Sequence, residues 1–62
     1  MGMGVVERAF ELADTGLYVS PTEIAKKLIQ EGYRRADITA SLEGLALKRQ
    51  LLARCRAARS PG

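Results

Sequence analysis

The chain has no histidine and no tryptophan, and Cys55 is its only cysteine. Without histidine it lacks the side chain most used for acid–base catalysis, and one thiol alone leaves no plausible zinc ligand set. A lone cysteine also excludes an intramolecular disulfide. No apolar run approaches the roughly 18 residues that a membrane span needs. Met1-Gly2-Met3-Gly4 has neither the basic flank nor the apolar block of a signal peptide, and Val6 stands where a myristoylation signal requires Ser or Thr. No glycine-rich phosphate loop is present, and the carboxylates are scattered. These absences predict a cytoplasmic protein that is not an enzyme and uses no metal or cofactor.

A length of 62 residues allows one domain. The expected division is one folded unit over 1–59 and a disordered end over 60–62. So small a core gains little from burial, and with disulfides and metals excluded the usual remaining supports are dense helix packing or a partner subunit. A homodimer is the expectation, with Val5, Leu12, Leu47 and Leu51 either its seam or simply scattered surface residues.

Charge of either sign is plentiful but unevenly placed. Residues 1–33 hold three Lys and Arg against five Asp and Glu, whereas residues 34–62 hold seven against two. A basic half on a slightly acidic body is the pattern of a phosphate-binding surface; the plain alternative is a solvated helix face and tail.

Three helices are legible. The first spans about Val5 to Asp14, with Val6, Phe10 and Ala13 at helical spacing and Gly16 as its stop. Leu17-Tyr18-Val19 favours extended backbone. The second helix opens on Ser20-Pro21-Thr22-Glu23, a capping box with proline at the first helical position, and closes at Gly32. Its apolar face is Ile24, Ala25, Leu28 and Ile29. The third opens near Ala36 or Asp37 and reaches at least Lys48, with Ile38, Leu42 and Leu45 as its stripe. Beyond Gln50 two patterns compete. Alternation of Leu51, Ala53, Cys55 and Ala57 with Leu52, Arg54 and Arg56 favours a strand, while the absence of Gly, Pro and β-branched residues from 45–59 favours a helix. The balance tips slightly toward a strand or turn.

The string from Val19 to Leu28, then Ile38-Thr39-Ala40-Ser41-Leu42-Glu43-Gly44-Leu45 and Lys48-Arg49-Gln50-Leu51-Leu52, resembles the winged helix-turn-helix superfamily. The resemblance spans about Tyr18 to Arg56. It implies a mainly α, three-helix helix-turn-helix domain with a wing truncated to a two-stranded ribbon (about 17–19 with 51–55) or absent. It also implies a DNA-binding transcriptional regulator that places its third helix in the major groove of double-stranded DNA, as a dimer. On that reading Arg35, Ala36, Thr39, Ala40 and Glu43 form the reading face, with Arg34 at its start. Ser20 and Thr22 would take a phosphate at the N-terminus of the second helix. Lys26 and Lys27 would contact the backbone, and Lys48, Arg49, Arg54 and Arg56 complete the DNA-binding set. Asp37 and Glu43 depart from the pattern, because carboxylates there repel phosphate unless Glu43 reads cytosine.

Two other partners fit the same residues. A helix-turn-helix-like fold also serves as a protein-docking module without nucleic acid, and the basic half suits RNA. Cys55, among arginines, is either a reactive thiol or a small packing residue, the latter favoured. Tyr18 and Tyr33 are more readily wedges between helices than base-stacking platforms.

Overall fold

The structure, a computed structural model, describes residues 4–59. The C-terminal segment 60–62, expected to be disordered, lies outside the described residues. Four helices follow one another: α1 (Val5–Asp14), α2 (Pro21–Gln30), α3 (Arg35–Leu42) and α4 (Leu45–Arg59). No strand occurs among the described residues.

Glycine ends the first two helices as the sequence predicts, by different routes. After α2 the Gly32 amide donates to the Ile29 carbonyl and the Tyr33 amide to the Leu28 carbonyl, both at 3.1 Å. That pairing is a Schellman turn, and it requires the left-handed backbone that Gly32 adopts at φ +101°. After α1 a side chain replaces half of this pattern. The Thr15 hydroxyl donates to the Leu12 carbonyl at 2.6 Å and accepts the Leu17 amide at 3.2 Å. Gly16 supplies the left-handed residue at φ +76°.

The start of α2 matches the expected position but not the expected bonds. Ser20 is the extended N-cap and Pro21 follows at the first helical position, yet the Ser20 side chain makes no capping bond. The Glu23 amide that a capping box would direct to it already donates to the Ser20 carbonyl at 3.2 Å, beside the Ile24 amide at 3.3 Å. A tight first turn thus meets those donors through the backbone.

The C-terminal third departs most from expectation. The third helix stops at Leu42, with Glu43 as C-cap, instead of running through Lys48. Gly44, the poorest helix former after proline, stands at the break. Its carbonyl accepts the Lys48 amide at 3.0 Å and so begins α4. Residues 51–55, expected to pair as a strand with 17–19, lie inside that helix. The ribbon is therefore absent among the described residues, because Leu47, Leu51 and Cys55 recur every four residues on the side of α4 that meets the core. The apparent alternation comes from Ala and Arg interspersed on the exposed side.

Ala9, Leu12, Ala13, Ile24, Leu28, Ile38, Leu42, Leu51 and Cys55 form one buried core. Val5 and Leu47 pack on its margin. Of the four residues expected to form a dimer seam, Leu12 and Leu51 are buried within the chain, and Val5 and Leu47 are partly buried against the core. Conversely, Val6, Ile29 and Leu45, expected inside, are exposed. Shortening α3 at Gly44 moves Leu45 onto a different helix, away from the line of Ile38 and Leu42.

Candidate functional site

Electrostatics divides the surface in two. On the α1 side the arginines are engaged. Arg8 grips Glu31 with two parallel bonds, Nε to Oε1 at 2.8 Å and Nη2 to Oε2 at 2.6 Å, and its remaining nitrogen Nη1 meets Glu11. This fork ties the middle of α1 to the end of α2. The guanidinium holds the Glu31 carboxyl below its ordinary pKa, and the carboxylates in turn raise that of Arg8. Arg54 reaches from α4 to Asp14 at 3.0 Å and lies over the Phe10 ring, 5.0 Å from its centroid. Glu31 and Glu11 thus share the one cation Arg8, and Asp14 takes Arg54.

Elsewhere the cations stand alone. Lys26, Arg34, Arg35, Lys48, Arg49, Arg56 and Arg59 are exposed and make no ion pair among the described residues. Arg34 and Arg35 sit at the start of α3, where Ile38 and Leu42 carry the packing and Ala36, Thr39, Ala40 and the C-cap Glu43 remain exposed. Asp37 is exposed in the same first turn. Thr22 is exposed, and Ser20 and Lys27 are half-buried.

A second feature was not legible as a site. From Gly44 the last two helices diverge, and α3 and α4 scarcely touch. Between them opens a groove of about 580 Å³, floored by Pro21 and Ala25 of α2. Its walls are Ile38 and Leu42 on one side and Leu45 and Leu52 on the other, with Lys48 and Arg49 on the α4 rim and Thr39 and Glu43 on the α3 rim. Of the residues expected to contact nucleic acid, the groove gathers Thr22, Thr39, Glu43, Lys48 and Arg49. Ser20, Lys26, Lys27, Arg34, Arg35, Ala36, Ala40, Arg54 and Arg56 lie outside it, and Arg54 belongs to the α1 side. The signal that could have revealed the groove is the seven-residue spacing of Leu45 and Leu52. At ~100° per residue these two share an arc of α4 with Lys48, Arg49, Arg56 and Arg59.

Other candidate chemistry is absorbed by packing. Cys55 is fully buried, and burial pushes its thiol pKa up, which disfavours the reactive thiolate. Tyr18 and Tyr33 are half-buried against the core, as wedges are. Among the described residues no cluster of His, Cys, Asp or Glu could hold a metal ion, and no helix is long and apolar enough to cross a membrane. No protein-family model matches this chain, and comparison with curated proteins and with solved structures gives no match.

Proposed function

We propose that the chain is a small DNA-binding module of the helix-turn-helix kind, with α3 as the helix that enters the major groove. The observation that carries this reading is the two-sidedness of α3. Ile38 and Leu42 are buried, while Arg34, Arg35, Ala36, Thr39 and Ala40 are all exposed and both arginines lack a carboxylate partner among the described residues. A four-residue connection, 31–34, with a left-handed glycine joins α2 to α3. Turns of that length, often with glycine, join the paired helices of such modules.

The charge pattern gives the proposal a direction. Arg34 and Arg35 lie at the N-terminal end of α3 and Glu43 at its C-cap. The arginine end therefore leads into the groove, where phosphates flank it, and the carboxylate end stays at the rim. Ala36 and Ala40 leave room for close approach to base edges. A module this small reads few base pairs, so regulation by two copies on half-sites roughly 34–36 Å apart completes the proposal.

Fluorescence anisotropy of labelled duplex at two or more salt concentrations tests it. Affinity is expected to fall steeply with salt as counterions are released. Neutralising both leading arginines (Arg34→Ala with Arg35→Ala) is expected to flatten the slope of log affinity against log salt by about 2. No binding at low salt, or an unchanged slope in the double variant, rejects the reading. Stronger competition by RNA than by duplex DNA transfers the surface to RNA.

A further inference from the structure

We infer that the groove between α3 and α4 is a docking site for an acidic amphipathic helix of a partner protein. This goes beyond the nucleic-acid reading: the groove shares Thr39 and Glu43 with that reading, but the inference rests on the α4 wall and not on Arg34 and Arg35.

The groove pairs apolar walls with cations that have no internal use. Leu45 is 63% exposed at its mouth, whereas Leu42 on the opposite wall is buried; only Leu17, between α1 and α2, is a more exposed leucine among the described residues. Beside it, Lys48, Arg49, Arg56 and Arg59 make no ion pair among the described residues, although Arg8 and Arg54 elsewhere are both engaged. On α4 these four cations and the two leucines Leu45 and Leu52 fall within one arc of about 100°. Apolar side chains are thus flanked on both sides by positive charge, the complement of a helix with an apolar stripe bordered by Asp and Glu.

Dimensions favour a helix over a small ligand. From Lys48 to Arg59 the cationic stripe runs ~16 Å along α4, about three helical turns. A compact apolar anion in the groove would reach Lys48 and Arg49 but leave Arg56 and Arg59 unmatched. Phosphodiester backbones match the cations but not the leucines, whose exposure they would leave unrelieved. A helix that places apolar residues at i, i+3 or i+4 and i+7 between α3 and α4 covers both. Glu43 on the α3 rim sets its polarity across the groove, since the partner's acidic edge must lie toward α4.

Panning a helix-templated peptide library against the full chain tests the inference, with binding then measured on synthetic peptides. The expected result is enrichment of sequences that combine helically spaced Leu, Ile or Phe with Asp and Glu. On 15N-labelled protein these peptides should move the amides of Ala25, Leu42, Leu45 and Leu52. Leu45→Ser removes an exposed side chain and is expected to weaken binding by about tenfold or more. Lys48→Glu with Arg49→Glu, also exposed, should invert the charge preference of the selected peptides. Circular dichroism of each variant confirms that the fold is kept. The inference is overturned by a selection with no enrichment or no acidic bias, and by variants that bind as the parent does. It is equally overturned if duplex DNA moves the same groove amides more strongly than the peptides, or if sedimentation shows a second copy of the chain held there and released by Leu45→Ser.

Discussion

The backbone carbonyl oxygen of Ala58, near the end of α4, lies 3.0 Å from the point where a side chain on Gly16 would begin. Gly16 therefore answers two demands at once. It turns the chain out of α1 with a left-handed backbone, and it lets α4 approach without obstruction. At Gly32 the backbone is also left-handed, but the position a methyl group would take there has nothing within 4 Å.

The two glycines therefore separate strain from contact. Alanine at a left-handed position costs about 1–2 kcal/mol, so both Gly16→Ala and Gly32→Ala are destabilising. Asparagine tolerates such backbone and is expected to restore much of the loss at Gly32. At Gly16 it should restore little, because a backbone carbonyl cannot rotate away. Urea denaturation of the four variants checks this, and equal recovery by asparagine at both positions would show that the approach of Ala58 is not felt.

Acid should loosen the junction of α1 with α2. Arg8 holds the Glu31 carboxyl below its ordinary pKa, so its contribution to stability is fully present above the unfolded value of about 4.3. It is lost as pH falls through the lower, folded value. The expected outcome is a difference in melting temperature between the parent and Glu31→Gln that is constant near neutral pH and shrinks below about pH 4. A difference that persisted at the lowest pH would assign the effect to something other than this ion pair.

Proline distinguishes the observed α4 from the strand that the alternating pattern suggests. Ala53 is exposed and sits in the interior of the helix. Proline there removes a helical hydrogen bond and clashes with the preceding turn, at a cost of about 3 kcal/mol or more, whereas the outward edge of a strand accepts it. Leu51→Ala, at a fully buried position, is expected to cost about 2–5 kcal/mol. Both variants should lose helical circular dichroism cooperatively at lower denaturant, and a stable Ala53→Pro variant would contradict the helix.

What is plain in the sequence is set by local chemistry. Val5 to Asp14 and the Ser20-Pro21 start of α2 are marked by residues whose backbone preferences act within one turn, and Gly32 stops α2 for the same reason. Leu12 and Leu51 are harder to read because their burial depends on each other across almost the whole chain. Either looks superfluous until α4 is known to lie on α1. The same holds for Cys55, whose arginine neighbours in sequence point outward while its own side chain points into the core. The arginines of α3 can be picked out because exposure follows from the spacing of Ile38 and Leu42. Of the groove only one wall is marked, by the spacing of Leu45 and Leu52, since the opening itself depends on where α3 ends.

The break at Glu43-Gly44 sets the angle at which two helices part, and with it the width of everything between them. A residue at position 44 that prefers helix more strongly than glycine does would draw 35–59 toward one straight rod. That preference is worth about 1 kcal/mol, less than the burial of Leu51 and Cys55 that keeps α4 in the core, so it would bias the angle without undocking the helix. The molecule's capacity to receive a partner is in this sense a property of its weakest helical position, and natural variation at that position would tune which partners fit.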